Sequence, residues 1–292
     1  LTSPYAEQDR RLSQPTWFPV NLPPTAPLPT PEQIGYADLG DHRLEFVRFN
    51  KSNGNSPSLV LLHEGLGSVA MWRNFPARLA STTRAEVIAY SRRGYGRSSL
   101  RSAPCGIDFM HREARETLPI LFRIWDIDSP ILVGHSDGAS IALIHAAEMS
   151  PPILGAAVMA PHIMVEPISL QSIELAREQF ETTDLKDKLG RYHDDPAHAF
   201  HGWNDAWLNP DFLTWDIREL LPNIHCPVLA IQGENDAYGT MAQIDGIRDA
   251  TSGNVELLKL PACGHSPHRD KSDETLTALK IFVEGIKQGN TS

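Results

Sequence analysis

The chain has 292 residues, of which 41% are hydrophobic, and its formal net charge is -10. This length suits one large α/β domain or two smaller ones. The negative charge argues against nucleic acid and anionic membrane as partners, because phosphate binding needs a basic face, and no apolar run reaches the roughly 18 residues that span a bilayer.

Residues 1–33 are rich in proline. They contain eight prolines, most of them in the stretch "SQPTWFPVNLPPTAPLPTPEQ". Proline fixes its own φ angle and pushes the preceding residue toward extended backbone, so the segment is not expected to be helical. We predict an N-terminal arm that packs on the rest of the protein, with a flexible tag remnant as the alternative interpretation.

From residue 34 onward, short apolar runs alternate with helical stretches. The runs are 44–49, 58–63, 86–90, 130–135, 154–160, 227–232 and 255–260. The helical stretches are 107–125, 137–149, 240–250 and 272–287. Several runs are almost continuously apolar, which is typical of strands buried on both faces of a parallel sheet. The alternation predicts a doubly wound α/β sheet built from residues 34–161 and 224–288.

One interval of about 65 residues, between the runs at 154–160 and 227–232, has no strand-like segment. It reads as helical, and a structureless loop of that length is uncommon in a compact domain. We therefore predict a helical insertion at residues 162–223, which we call the cap. Open α/β sheets bind ligands beyond the carboxyl ends of their strands, so we expect the cap to lie there.

A glycine-flanked serine follows the apolar run at 130–135. The sequence Gly134-His135-Ser136-Asp137-Gly138 fits G-x-S-x-G between a strand and a helix, the context of a nucleophile elbow. Serines and glycines also form ordinary turns, so five residues alone do not decide the question. A serine nucleophile needs a base, and the base needs an acid that orients it.

Candidate acids and bases follow the two later strands in the order that this mechanism requires. "GENDAYG" offers Asp236 and, second, Glu234, whereas "PACGHSPHRD" offers His265 and, second, His268. Because the candidate nucleophile, acid and base occur in the required order, the chain resembles the α/β-hydrolase superfamily over residues 34–288. The resemblance implies an α/β-hydrolase fold with a helical cap inserted after the sixth strand. It also implies catalytic roles for Ser136, Asp236 and His265.

The resemblance also implies an oxyanion hole in the stretch "LLHEGLGSVAMW". Aligning it with the family's usual pattern places Glu64 where a glycine normally stands and assigns the donor N–H groups to Gly65 and Asp137, with Leu66 as the fallback. The family's D-x-R-G-x-G-x-S motif reads "SRRGYGRSS" here, so Ser91 replaces an acid. We expect Glu64 to supply that carboxylate and pair with Arg92 or Arg93. Recognition of a cationic or hydroxylated substrate by Glu64 is the alternative.

The other polar and aromatic candidates are expected to be structural residues or to line the substrate pocket. The segment "YHDDPAHAFHGWNDAW" contains His193, Asp194, Asp195, His198 and His201, but serine-based chemistry needs no metal, and we expect no metal or other cofactor. We expect His162, Trp203 and Trp207 to line an apolar pocket. His268 is expected to line the pocket or to meet a surface partner, and His135 to be a packing residue.

The sequence favours a carboxylesterase-like serine hydrolase that acts on a small, partly apolar substrate. One alternative is a hydrolase of carbon–carbon bonds in β-diketones or ring-cleavage products, which the chain also resembles. Another is a catalytically inactive ligand-binding protein of the same fold. Dehalogenases and epoxide hydrolases are disfavoured because they require an aspartate at position 136.

Partners and location follow from composition. We expect a small-molecule substrate, neither nucleic acid nor membrane as partner, and a monomer or homodimer. The three cysteines lie far apart, so a reduced, cytoplasmic location is favoured. Because the sequence begins at Leu1, export with removal of a leader is the alternative.

Overall fold

A sheet of eight strands runs through the residues that the computed structural model describes, which are 28–51, 57–149 and 152–289. The strands are β1 (Gln33–Asp38), β2 (Arg43–Phe49), β3 (Ser58–Leu62), β4 (Glu86–Tyr90), β5 (Ile131–His135), β6 (Gly155–Met159), β7 (Val228–Gly233) and β8 (Val255–Leu260). Their order is β1-β2-β4-β3-β5-β6-β7-β8, with β2 antiparallel to β1 and β4 and the remaining pairs parallel. Every residue of β3 to β7 is buried, as expected where helices cover both faces.

Helices connect the strands and cover both faces of the sheet. Within the described ranges they are α1 (Phe75–Thr83), α2 (Phe109–Arg112), a π-helical turn (Glu113–Thr117), α3 (Leu118–Trp125), α4 (Asp137–Glu148), α5 (Pro167–Thr182), α6 (Leu185–Leu189), α7 (Pro196–Trp207), α8 (Ala242–Ala250), α9 (Pro267–Asp270) and α10 (Ser272–Gly289). The mostly parallel, doubly wound sheet predicted from the sequence is thereby confirmed.

The insertion between β6 and β7 is helical, as predicted, and contains α5, α6 and α7 with two short 3-10 turns. Helix α7 begins where Asp195 accepts a hydrogen bond from the N–H of His198 at 2.9 Å and Pro196 occupies the first turn. Phe200 and Trp207 of α7 belong to the same buried apolar cluster as Leu62 of β3. The cap and one face of the sheet therefore share a core.

Three elements differ from the sequence prediction. Strand β1 begins at Gln33, inside the segment expected to be an arm, and helix α1 was not anticipated. The helix expected over residues 107–125 is interrupted by the π-helical turn. Residues 1–27, which hold most of the predicted arm, lie outside the described residues.

The strand order reverses between β3 and β5, which are neighbours in the sheet although β4 lies between them in the sequence. In open α/β sheets such a switch point opens a crevice at the carboxyl ends of the strands. The segments that follow β3 and β5 hold Gly65 and Ser136. The topology therefore brings the predicted oxyanion donor and the predicted nucleophile to the same edge.

Candidate active site

Ser136 lies at a strained turn between β5 and α4. Its φ and ψ angles are 52° and -120°, a region that residues other than glycine rarely adopt. A Cβ atom on Gly134 would lie 2.3 Å from the carbonyl oxygen of Gly138, and one on Gly138 would lie 2.0 Å from that of Leu62. Both glycines are therefore needed for helix α4 to approach the sheet closely enough to place Ser136 at its edge.

His265 lies between the serine and an acid. Its Nε2 atom is 2.9 Å from Ser136 Oγ, and its Nδ1 atom is 2.8 and 2.9 Å from the two carboxylate oxygens of Asp236. A carboxylate only accepts hydrogen bonds, so Nδ1 carries the proton and Nε2 is free to accept from the serine hydroxyl. The arrangement can withdraw a proton from Ser136.

The charge on Asp236 is stabilised by its neighbours. Burial raises the pKa of this carboxyl, but the hydrogen bond and charge of His265 and the N–H of Tyr238, 2.8 Å away, outweigh burial and hold the pKa below its usual range. The side-chain amide of Gln232 donates a further hydrogen bond at 2.7 Å. Asp236 is thus held as an anion facing His265. Tyr238, which sequence reasoning missed, also places its ring 4.7 Å from the His265 ring.

The backbone N–H groups of Gly65 and Asp137 are the predicted oxyanion donors. Asp137 is the first residue of α4, where an N–H has no partner within the helix, and Gly65 follows β3. Among the described residues, neither N–H group donates to a protein acceptor. A Cβ on Gly65 would lie 2.2 Å from the indole of Trp203, so only glycine fits beneath this cap side chain.

The loop after β3 that contains Gly65 and Leu66, which we call the oxyanion loop, is also held by His193 of the cap. This role of His193 was not predicted from the sequence. Its Nδ1 accepts from the N–H of Gly96 at 2.9 Å, so its Nε2 carries the proton and donates to the carbonyl oxygen of Leu66, also at 2.9 Å. Burial lowers the pKa of His193, which keeps the ring neutral. Leu66, the fallback oxyanion donor, is therefore held through its carbonyl group.

The expectation for Glu64 is wrong. Its main-chain carbonyl, not its carboxylate, accepts from Arg92 Nη2 at 2.9 Å, whereas the carboxylate lies 3.4 Å from His135 Nδ1. The carboxylate partner of Arg92 is Asp137, at 3.8 Å. The side chain of Glu64 folds back over Gly67, where a Cβ would lie 2.5 Å from Glu64 Oε2. This direction takes the carboxylate to the His135 side of the loop.

The acid missing at Ser91 is instead replaced from β2. Ser91 Oγ donates to Glu45 Oε2 at 2.8 Å and accepts from the N–H of Val69 at 2.9 Å. Glu45 Oε2 also accepts from the N–H of Arg97 at 3.0 Å. The Glu45 carboxylate thus organises the segment that normally contains the family's aspartate.

A chain of contacts links Glu64 to the main chain of His265. His135 Nε2 donates to the carbonyl oxygen of His265 at 2.6 Å, while Nδ1 faces Glu64. Burial raises the pKa of Glu64, but the hydrogen bond and charge of His135, with the charges of His268 and His63, lower it well below its usual range. His135 is thus more than a packing residue, because it joins the loop after β3 to the loop that holds the base.

The remaining predicted side chains divide into two groups. Trp207 donates from Nε1 to Asp137 Oδ1 at 3.1 Å, and the Trp207 ring lies 4.9 Å from the His162 ring. Burial lowers the pKa of His162 to about 3. The His162 ring also lies 5.9 Å from that of His265, and Trp203 covers Gly65. Of the two alternatives expected for His268, lining the pocket or meeting a surface partner, the second is wrong. It is 4% exposed, and its ring packs 4.9 Å from Trp72 in the core.

Two features are absent from the described ranges. In residues 28–51, 57–149 and 152–289, no three His, Cys, Asp or Glu side chains converge as ligands of a metal ion. In the same ranges, no helix has both the length and the apolar character required to cross a bilayer.

Comparison with known proteins identifies the family. The model of the alpha/beta hydrolase family matches residues 59–278. Human serine hydrolase BPHL is 25% identical over 212 residues, covering 68% of this chain and 69% of that protein. Bovine protein phosphatase methylesterase 1 is 32% identical over 112 residues, covering 37% of this chain and only 29% of that protein.

Solved structures agree at the level of the fold. Proline iminopeptidase of Mycobacterium smegmatis superposes with a TM-score of 0.70 at 18% identity, covering 88% of this chain and all of that one. A structure reported with carboxylesterases of Nitrososphaera gargenis gives a TM-score of 0.71 at 18% identity, covering 87% of this chain and all of that one. Because the family model spans most of the chain, the protein is a hydrolase of the alpha/beta hydrolase family.

Proposed function

We propose that the protein is a serine hydrolase that cleaves a carboxylic ester of a small, partly apolar substrate. The observation that carries this proposal is the hydrogen-bonded line from Ser136 Oγ through His265 to Asp236, with successive distances of 2.9 and 2.8 Å. The relatives named as a serine hydrolase and as a methylesterase support the same class of reaction.

The proposed reaction has two halves. Ser136 Oγ attacks the ester carbonyl carbon while His265 Nε2 takes the hydroxyl proton, and the N–H groups of Gly65 and Asp137 stabilise the oxyanion. The tetrahedral adduct collapses, and His265 returns the proton to the departing alcohol. Water then attacks the acyl-enzyme, His265 again accepting a proton, and the carboxylic acid leaves with Ser136 restored.

The surroundings of Ser136 support an apolar substrate group. Trp203 covers Gly65, Trp207 lies beside Asp137, and Tyr238 lies against His265. Ser136 is 6% exposed, so the ester must enter a largely dry site. In such a site the oxyanion donors act with little competition from water.

A substrate panel tests the proposal. Initial rates should be measured with p-nitrophenyl acetate, butyrate and octanoate and with a vinylogous diketone acid, using Ser136→Ala as the matched control. We expect ester turnover by the natural sequence and a loss of about 10³-fold or more in Ser136→Ala. Turnover of the diketone acid without turnover of any ester would show that the protein cleaves carbon–carbon bonds and not esters. Equal ester rates in both proteins would overturn the nucleophilic role of Ser136.

A further inference from the structure

Two donors hold the main-chain carbonyl oxygen of Glu64. His63 Nδ1 lies 2.7 Å from this oxygen, and Arg92 Nη2 lies 2.9 Å from it. Burial lowers the pKa of His63 well below its usual value, so the ring is neutral. His63 Nε2 accepts from the N–H of Arg92 at 2.9 Å, so the ring proton is on Nδ1, which donates to Glu64. Both donors therefore act on one carbonyl group, at the start of the oxyanion loop.

The held carbonyl belongs to the peptide unit that contains a predicted oxyanion donor. The carbonyl of Glu64 and the N–H of Gly65 share one peptide plane, and in a trans peptide unit they point in opposite directions. The donors on the carbonyl oxygen therefore fix the direction of the Gly65 N–H. Hydrogen bonds in series also polarise one another, so a positive charge at the carbonyl makes the N–H a stronger donor.

The guanidinium of Arg92 is buried with little compensation. Its side chain is 5% exposed, and within the described part of the chain Nε and Nη1 have no hydrogen-bond partner. The carboxylate of Asp137 lies 3.8 Å from Nη2, beyond hydrogen-bond distance, and the Tyr95 ring centre lies 5.1 Å from the guanidinium carbon. An apolar side chain of similar size would often cost less in folding than such a charge. In the described residues, the one hydrogen bond of this guanidinium ends on the Glu64 carbonyl.

The family motif does not account for this arginine. In D-x-R-G-x-G-x-S the arginine corresponds to Arg93, and Arg92 stands at the first x position, where any residue is allowed. The side chain of Arg93 is 30% exposed and pairs with Asp41 at 3.1 Å. The contact between Arg92 and the oxyanion loop is therefore not part of the motif.

We propose that Arg92 is a positioning residue of the oxyanion hole. Through the Glu64 carbonyl it directs the Gly65 N–H toward the oxygen that becomes negative when Ser136 attacks, and its charge strengthens that N–H as a donor. Arg92 does not touch the substrate. Its removal should therefore weaken the binding of an oxyanion much more than the binding of the substrate. This role rests on the proposed function, because it requires Ser136 as the nucleophile.

Trifluoroacetophenone tests the role of Arg92 without turnover. Ser136 Oγ adds to the ketone carbon, its proton passes to His265 Nε2, and the former carbonyl oxygen becomes the hemiketal oxyanion. Fluorine-19 NMR measures the affinity of the full chain for the ketone, and a carbon-13 label at the carbonyl measures the pKa of the hemiketal hydroxyl. In Arg92→Met, which keeps the length of the side chain and removes its charge, we expect roughly tenfold weaker binding and a hemiketal pKa higher by about 1.

Arg101→Met is the matched control. The Arg101 guanidinium also lies 5.1 Å from the Tyr95 ring centre and donates to two carbonyl oxygens, those of Arg93 and His198, at 2.8 Å, but not to the oxyanion loop. Arg101→Met should lower the melting temperature and leave the ketone affinity and the hemiketal pKa unchanged. If Arg92→Met gives the same ketone affinity and hemiketal pKa as Arg101→Met, the role of Arg92 is structural and the proposal is wrong.

Two further variants keep the outcomes distinct. If Arg92→Met does not fold, Arg92→Gln, which is also uncharged, should show the same weaker binding and higher hemiketal pKa. Ser136→Ala should form no hemiketal. Absence of the hemiketal in the natural sequence would overturn the proposed function and the role of Arg92 with it. A normal hemiketal in the natural sequence, with unchanged affinity and pKa in a folded Arg92 variant, would overturn the role of Arg92 alone.

Discussion

Replacing Glu64 by glutamine tests the link between the oxyanion loop and the base. Glutamine preserves the size of the side chain and removes its charge, which lies 3.4 Å from His135. The His135 side chain is 2% exposed and that of Glu64 is 19% exposed, so water screens the pair only partly. A hydrogen bond that reaches a charged carboxylate is roughly twice as strong as one between neutral groups.

The net loss of stability follows from the weakening of this charged hydrogen bond. Hydrogen bonds to charged groups contribute about 1.5–3 kcal/mol net, so we expect Glu64→Gln to lower the free energy of unfolding by about 2 kcal/mol. With an unfolding entropy of about 2.1 cal/mol/K per residue, that corresponds in a chain of 292 residues to a melting temperature about 3 °C lower. Because His135 holds the main chain of His265, kcat should fall by a similar factor for every ester, up to about 10²-fold.

A matched control separates this effect from the loss of any glutamate. Glu148 is also 19% exposed and contacts Arg115 at 2.7 Å, but Arg115 is half exposed and the pair is remote from the triad. Glu148→Gln should therefore lose less than about 1 kcal/mol and keep its kcat. Differential scanning calorimetry and a four-ester panel measure both variants. An unchanged melting temperature in Glu64→Gln, with loss of one substrate class alone, would show that Glu64 recognises substrate instead.

Three further predictions follow from the site. His265→Ala should reduce kcat by about 10³-fold or more in the ester assay. His268→Ala empties a core position and should chiefly lower the melting temperature. The reverse pattern would mean that the base is misassigned. The pKa of His162 falls from 6.5 to about 3 on folding, so between these pH values the unfolded chain binds more protons than the folded protein. The free energy of unfolding is therefore unaffected by His162 well above pH 6.5 and is lower by about 1.4 kcal/mol at pH 5.5. Urea titrations should show that His162→Gln loses this part of the pH dependence, and an identical dependence would refute the assignment. Gly138→Ala should cost about 3 kcal/mol or prevent folding, because its Cβ would lie 2.0 Å from a carbonyl oxygen of β3, while Gly285→Ala, with open space around it, should fold normally.

The fold and the triad residues were predictable because their signals are local. Ser136, Asp236 and His265 each follow a strand that its apolar run reveals, and parallel strands bring their carboxyl ends to one edge. The π-helical turn carries no comparable signal, since it differs from the surrounding helix only in its hydrogen bonding. Strand β1 was missed because it begins where the proline-rich segment ends.

The partner of Ser91 could not be found in the same way. Glu45 precedes it by 46 residues, and the two meet only because β2 pairs antiparallel with β4 in the register that places Phe46 opposite Tyr90. Sequence gives no direct measure of that register. Glu64 was the sequence candidate because it stands in the oxyanion stretch, but the direction of a loop side chain depends on contacts such as the one with His135.

Covalent labelling of Ser136 tests the central claim most directly. The protein should be incubated with a p-nitrophenyl alkylphosphonate and analysed by intact mass and peptide mass spectrometry, in parallel with Ser136→Ala. The proposed mechanism predicts one phosphonyl group per chain, attached to the peptide that contains Ser136, with loss of ester hydrolysis in proportion to labelling and no label in the variant. Labelling of another residue, or full hydrolytic activity in folded Ser136→Ala, would contradict the claim that Ser136 is the nucleophile.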